Sequence, residues 1–385
     1  MSNILVTNAI KDAVTWLAHS GIQAANADPR TNGAVAAWFD PDTAHYSYWY
    51  PEITGYAATI WAWLGQTNAA QFEHGAAAVR WLIEVGGHQP SGLYGQKWSL
   101  DMQTHTPIAY TFDQGIILSG VLNMFRATNH TPYRDHAERL ADALLAAALQ
   151  PNGALKPYVL LTEHAHISET EQGRWSRQTG PYLSKCVLGL LQLVQISDDL
   201  RWRETSRQIC DWALRFQRDD HTFVVNPHSG ASHAHPLNYT GEAMVAAGLV
   251  LDDERYRRAA CAIACGLLSA FEQYGYLPRI FVGTQAIIQP ERVDVLAQSL
   301  RLGGLCVRYG WLDGARWQNT LDQMAMHLLS FQVHTADQRQ HGGFRFGNTA
   351  YGVPSRHVNS WCTMFALQAL ILYADAALFD PLQIV

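Results

Sequence analysis

The stretch Tyr50-Pro51-Glu52-Ile53-Thr54-Gly55-Tyr56 ends an aromatic-rich loop, Trp38 to Tyr50, and opens an apolar run, Ile53 to Leu64. Proline is tolerated in a helix's first turn, where the N–H it lacks has no partner anyway. An acid there meets the positive end of the helix dipole. The stretch therefore predicts a helix start that carries a carboxylate. The same arrangement of glycine-aromatic loop, polar or acidic residue and apolar helix returns along the chain. It runs from Ser91-Gly92-Leu93-Tyr94 to Phe112-Asp113-Gln114-Gly115, and from Asn152-Gly153-Ala154-Leu155 to Arg177-Gln178-Thr179-Gly180. A further copy runs from His221-Thr222-Phe223 to Tyr239-Thr240-Gly241-Glu242, and another from Tyr274-Gly275-Tyr276-Leu277 to Arg292-Val293-Asp294. The last runs from His341-Gly342-Gly343-Phe344 to His357-Val358-Asn359. These weak copies form an internal repeat.

Between the copies lie two kinds of helical pattern. One kind is amphipathic: Ile4–Ala18, Ala69–Glu84, Pro132–Leu149, Arg201–Phe216, Asp253–Phe271 and Trp317–Phe331. In the first of these, Ile4, Ala9, Ala13, Trp16 and Leu17 fall on or near one side. The other kind is apolar or small nearly all round: Ile53–Leu64, Phe112–Arg126, Pro181–Ile196, Tyr239–Leu251, Val293–Arg308 and His357–Ala374. A helix apolar all round is buried on both sides. Six outer helices alternating with six inner ones predict an all-α fold, a single (α/α)6 toroid over residues 1–385. The long loops all precede inner helices, so they gather at one end and frame a pocket there. The tail, Leu378 to Val385, reads as a docked strap.

Composition narrows the function. Of 385 residues, 48% are hydrophobic and 16% charged, which supplies a large core. Net charge is -6 with no basic stripe, so no nucleic-acid partner is expected. The 13 Trp, 16 Tyr and 13 Phe suit a pocket that stacks on the flat faces of sugar rings. Six scattered cysteines without a Cys-x-x-Cys pair read as free thiols in a reducing, cytoplasmic compartment. Neither a signal peptide nor a membrane span is read, and no nucleotide or other cofactor is expected. The absence of a Gly-x-Ser-x-Gly elbow gives no support to a serine hydrolase.

The expected inner-helix starts place Glu52, Asp113, Glu242, Asp294 and Asn359 around one rim. Paired carboxylates in unlike environments split into acid and base, as glycoside hydrolysis requires. Each could instead only cap its helix. Glu52, Asp113 and, in reserve, Glu242 are the catalytic candidates. Trp49, Tyr50, Tyr56, Trp98, Tyr110, Tyr239 and Trp361 would stack on or border an oligosaccharide or polysaccharide. Arg356 and His357, just before Asn359, would meet an acidic substituent. An alternative is a uronate lyase or epimerase, in which Tyr50, Tyr56, Tyr110 or Tyr239 works with His105, His235, His357, Arg177, Arg279 or Arg356. A non-catalytic glycan-binding or scaffold protein is a third reading. A terpene cyclase or prenyltransferase would need an acidic cluster, and Asp252-Asp253-Glu254 and Asp198-Asp199 both sit at outer-helix starts. The pairs His164/His166 and His233/His235 lack further ligands at metal spacing, so no metal is assigned. Thr162 to Trp175 reads as a flap or a solvated loop.

At Tyr50-Pro51-Glu52-Ile53-Thr54-Gly55-Tyr56 the chain resembles the VpsJ-like proteins of bacterial exopolysaccharide gene clusters. The last repeat, Gly342-Gly343-Phe344 to Asn359-Ser360-Trp361-Cys362-Thr363-Met364-Phe365, looks like the same group. Phe112-Asp113-Gln114-Gly115 is similar to a helix start of six-hairpin glycosidases. The resemblance implies the toroid and a role around polysaccharides. The histidine pair of the N-acyl-glucosamine 2-epimerases, which share the toroid, has no clear match here, which ranks simple sugar epimerisation lower.

Overall fold

Pro51 and Glu52 fall in the first turn of a helix, as their chemistry demands, with extended Tyr50 as the residue before it. In the computed structural model this is the second of twelve α-helices among the described residues, which are 2–87, 90–99, 104–167, 174–225, 229–283, 285–288, 290–349, 351–375 and 379–385. In chain order the helices are α1 (Ser2–His19), α2 (Pro51–Leu64), α3 (Phe72–Trp81), α4 (Thr111–Thr128), α5 (Thr131–Ala148) and α6 (Val187–Ile196). Then come α7 (Leu200–Leu214), α8 (Ala234–Val250), α9 (Glu254–Tyr274), α10 (Val293–Arg308), α11 (Gly314–Leu329) and α12 (Ser360–Ala374). The two expected kinds alternate. In α2, every residue from Pro51 to Trp63 is buried, and α4 is buried from Thr111 to Met124. By contrast α5 buries only Ala137, Leu140, Ala141, Leu144 and Ala148, one stripe at helical spacing.

The chain forms two compact units. One comprises Met1–Ile22, Trp38–Tyr46 and Leu214–Pro381; the other comprises Gln23–Ala37, Ser47–Ala213 and Leu382–Val385. In the second unit α4 packs on α2, α5 and α6, and α3 lies against α2. In the first, α10 packs on α8, α9, α11 and α12, and α1 lies against α12. Glycines permit a close approach of α2 and α4 in the second unit. A Cβ on Gly120 would stand 2.3 Å from the Gly55 carbonyl oxygen, and one on Gly55 would stand 2.9 Å from the Ile117 Cα. Only glycine lets the α2 and α4 backbones come this near, which brings their first turns together.

The loops carry short strands that the sequence pattern does not announce. In the first unit β1 (Trp38–Asp40) and β2 (His45–Tyr46) join β10 (Phe344–Asn348) and β11 (Pro354–Asn359) in the order β10-β11-β1-β2. A second sheet there is β7 (Ser232–His233), β8 (Ile280–Val282) and β9 (Gln285–Ile288). In the other unit β3 (Trp98–Ser99) pairs with β4 (Thr104–His105), and β5 (Ile108–Tyr110) with β6 (Tyr158–Leu160).

Several expected boundaries move. The segment expected as one helix from Pro181 begins as a 3-10 turn, Pro181–Cys186, before α6. Ala69–Glu84 breaks into a 3-10 turn, α3 and a π turn, Leu82–Gly86. Ile4 is 68% exposed rather than part of the buried stripe of α1, which is Val6, Ala9, Ala13, Trp16 and Leu17. The tail docks as expected for its described part: Leu382, Ile384 and Val385 are buried.

Candidate functional site

The close approach of α2 and α4 puts Glu52 and Asp113, both in first turns, into one buried patch. Glu52 is 8% exposed and Asp113 5%. Burial holds the Glu52 carboxyl up at about 7, while a hydrogen bond with the Tyr50 hydroxyl pulls it back. Asp113 is pushed well above the ordinary carboxyl range, first by burial and then by the charge of Glu52, with Tyr50 again acting in the opposite sense. Its Oδ2 is buried without a hydrogen-bond partner among the described residues. Burial thus outweighs the helix dipole, which favours ionisation at both places. Burial disfavours the charged form of both carboxyls, and the Glu52 charge acts on Asp113 as well.

Aromatic and cationic side chains surround this pair. Burial and the charges of Glu52 and Asp113 both raise the Tyr48 hydroxyl, and Lys97 Nζ lies 4.2 Å above the Tyr48 ring. Trp98 donates its backbone N–H to the Trp49 carbonyl at 3.0 Å, which ties the two tryptophan segments together. Arg177 Nε donates to the Tyr110 hydroxyl at 2.7 Å, and Tyr110 meets Tyr158 edge-on at 6.4 Å. Tyr56 is one turn deeper in α2 and 1% exposed. Lys97 and Tyr158 escaped the sequence reading. Only the aromatic density of the loops pointed towards them.

The other unit holds a second cluster. Arg292, just before α10, grips Asp294 through Nε at 2.9 Å and through Nη2, and Trp361 Nε1 donates to Asp294 Oδ2 at 3.0 Å. His235 Nδ1 lies 2.7 Å from Gln298 Oε1 and 3.6 Å from Asp294 Oδ2. Both neighbours are acceptors, so Nδ1 bears the hydrogen and Nε2 carries the lone pair. Burial lowers His235 to about 4, so the ring is neutral at neutral pH. Tyr239 packs at 4.5 Å from the His235 ring. Gly347 has φ +99°, and a Cβ there would strike the Glu291 carbonyl at 2.7 Å; glycine lets this strand lie against Arg292.

Glu242 is not at a helix start. α8 begins at Ala234, because Pro236 fits its first turn, and this sets Glu242 deep in the helix. There it is fully buried and ion-paired with Arg301, whose Nη1 donates to Gln368 Oε1 at 2.6 Å. Asn359 caps α12, its Oδ1 accepting from the Cys362 N–H at 3.0 Å. Arg356 is 67% exposed and paired with Asp42, and His357 stacks on Trp38 at 5.1 Å. Neither is among the residues grouped around Asp294. Arg292 forms the cationic partner there instead, and its proximity to Asp294 in sequence was the available signal.

Among the described residues no group of three or more His, Cys, Asp or Glu converges as a metal site. His166 is exposed beside the His164 carbonyl, whereas His233 and His235 flank the start of α8. Residues 168–173 of the expected flap, and the side chain of His105, lie outside the described residues. No helix among the described residues is long and apolar enough to cross a membrane.

A scan against protein-family models finds no match, and a search of curated proteins finds none. Solved structures do match. The chain is similar to cellobiose 2-epimerase from Bacillus thermoamylovorans, with TM-score 0.77 and 12% identity over 96% of this chain and 99% of that one. It is similar to an unsaturated glucuronyl hydrolase specific for heparin, with TM-score 0.71 and 13% identity over 98% and 99%. A D-mannose isomerase matches with TM-score 0.73 and 9% identity over 96% of each chain. The fold is thus the all-α (α/α)6 toroid of six helical hairpins.

Proposed function

We propose that this chain is a carbohydrate-processing enzyme that hydrolyses glycosidic bonds in an oligosaccharide or polysaccharide. The observation that carries the reading is the buried Glu52–Asp113 pair, two first-turn carboxyls that burial holds above the ordinary range. Asp113 protonates the departing glycosidic oxygen. Glu52, ionised, activates a water or attacks the anomeric carbon. Tyr50 tunes both by hydrogen bonding, and Tyr48, Trp98 and Tyr110 offer faces for sugar rings. The names of the similar structures, a glucuronyl hydrolase and enzymes that epimerise or isomerise sugars, support a carbohydrate substrate. The polysaccharide setting comes from the VpsJ-like motifs. The free thiols fit a reducing compartment such as the cytoplasm.

The test is product analysis by mass spectrometry on acidic and neutral bacterial polysaccharides, with Glu52→Gln and Asp113→Asn beside the wild type. One added water per cut, lost in both variants, supports hydrolysis. Unsaturated products without added water overturn it. Glycan binding with no product from any substrate would favour a non-catalytic role.

A second reading rests on His235. A neutral imidazole, oriented at Nδ1 by Gln298, is equipped to take a proton at Nε2 from carbon next to a carbonyl or uronate carboxylate. Solvent deuterium entering an unhydrolysed sugar, abolished in His235→Asn, would favour it.

A further inference from the structure

Arg279 is the arginine around the Asp294 cluster that makes no ion pair among the described residues, although the Asp294 charge reaches it. It lies just before β8, and its carbonyl accepts the Ala234 N–H at 3.0 Å, which sets it beside the start of α8 and hence beside His233 and His235. Its Nη1 is buried and makes no hydrogen bond among the described residues. Arg292 lies close enough for the two charges to oppose one another, but Arg292 is already matched by Asp294. The remaining acid of this loop, Glu291, is turned away: its Oε2 meets His327 Nε2 at 2.8 Å and its Oε1 accepts the Leu277 N–H. His233 and His235 add no charge, since burial holds each at about 4. Arg279 itself, lowered by burial to about 10, stays charged at neutral pH. The sum is one half-buried, unmatched positive charge. Leaving such a charge unpaired is costly, and the guanidinium fork is shaped to receive a planar carboxylate in two parallel hydrogen bonds.

The surroundings identify what carries that carboxylate. Gln298 Nε2 is a second buried donor without a partner among the described residues. Trp361 and Phe346 meet edge-on at 6.1 Å beside Arg292 and Asp294, and Arg292 lies over the Phe346 ring at 4.8 Å. A free amide donor, indole and phenyl faces and an unmatched guanidinium together suit a hydroxylated ring bearing one negative group. We propose that Arg279, with Gln298 and Trp361, forms a binding site for the carboxylate of a uronate sugar. A single net charge fits a carboxylate better than a phosphate dianion. The inference rests on this unit alone and on neither reaction proposed above.

Isothermal titration calorimetry with D-glucuronate, D-glucose and inorganic phosphate tests it on the full chain. Glucuronate should bind at least about tenfold more tightly than glucose or phosphate. Arg279→Met should remove at least about tenfold of that affinity, and Arg279→Lys, which keeps the charge but not the fork, should lose part of it. Equal binding of glucuronate and glucose overturns the proposal, as does unchanged glucuronate affinity in Arg279→Met. Phosphate binding as tightly as glucuronate overturns the assignment to a carboxylate. If Arg279→Met fails to fold, the wild-type ratio and Arg279→Lys still decide. The titration reads binding without turnover, so its failure is distinct from a failure of the hydrolytic reading.

Discussion

A carboxyl buried away from water prefers to keep its proton, and Glu52 shows the consequence for both rate and stability. Its ordinary value of 4.5 rises to about 7 in the folded chain. The folded state therefore holds a proton that the unfolded state has lost between these two values. By linkage, this group's stabilising effect is complete below about 4.5 and is lost as pH rises through about 7. Glu52→Gln removes that penalty. At pH 8 the variant should be more stable than the wild type by a few kcal/mol on the order-of-magnitude scale of ~1.4 kcal/mol per pK unit. At pH 4 the difference should vanish. Urea unfolding at both pH values checks the sign, and a wild type that is the more stable at pH 8 would show that Glu52 is held as a favoured anion. The same assignment predicts an acid limb in the pH profile of kcat/KM with its midpoint near 7, where Glu52 ionises. A midpoint between 4 and 5 would mean that the base is an ordinary solvated carboxylate.

Two inner helices depend on what their middle turns permit. Gly120 faces the Gly55 carbonyl, and a methyl there would stand 2.3 Å from that oxygen. Gly120→Ala must separate α2 from α4 and with them Glu52 from Asp113. Overpacking of this kind costs about 1–3 kcal/mol, and the activity loss should exceed what unfolding accounts for, because the pair is displaced in molecules that still fold. Intact activity per folded molecule would show that the pair does not depend on this contact. In α8 and α10 the middle turns are joined instead by the fully buried Glu242–Arg301 pair. Removing one partner leaves a buried charge, so Glu242→Ala should destabilise by about 3–5 kcal/mol in chemical denaturation. Folded variant should retain hydrolysis within a few-fold. Unchanged stability with abolished hydrolysis would return Glu242 to the catalytic role that its place in the repeat suggested.

For the molecule as a whole, the alternation of nearly all-apolar and one-faced helices was readable because burial on every side leaves few charged positions in α2, α4 or α12. The first-turn carboxylates of α2 and α4 were readable for the same local reason. The start of α8 was not, because Tyr239-Thr240-Gly241-Glu242 imitates a helix start while Pro236 is the true marker. Nor were contacts such as His235 with Gln298 or Trp361 with Asp294, since their partners are far apart in sequence and their pairing is a property of packing. The tail shows packing of this long-range kind supplying hydrogen bonds as well as apolar surface. The Leu382 carbonyl accepts from Gln192 Nε2 at 3.2 Å and Asn123 Nδ2 at 3.4 Å, and the Val385 carbonyl lies 3.5 Å from Lys185 Nζ. Gln192, Asn123 and Lys185 are all fully buried. Deleting residues 382–385 withdraws acceptors from buried donors on α4, on α6 and on the turn before α6. At roughly 1–3 kcal/mol for each buried donor left unsatisfied, several kcal/mol of stability should be lost. Amide hydrogen exchange should locate that loss in α4 and α6, where protection should fall first. Unchanged protection there would mean that these donors find other acceptors, and that the strap contributes surface coverage alone.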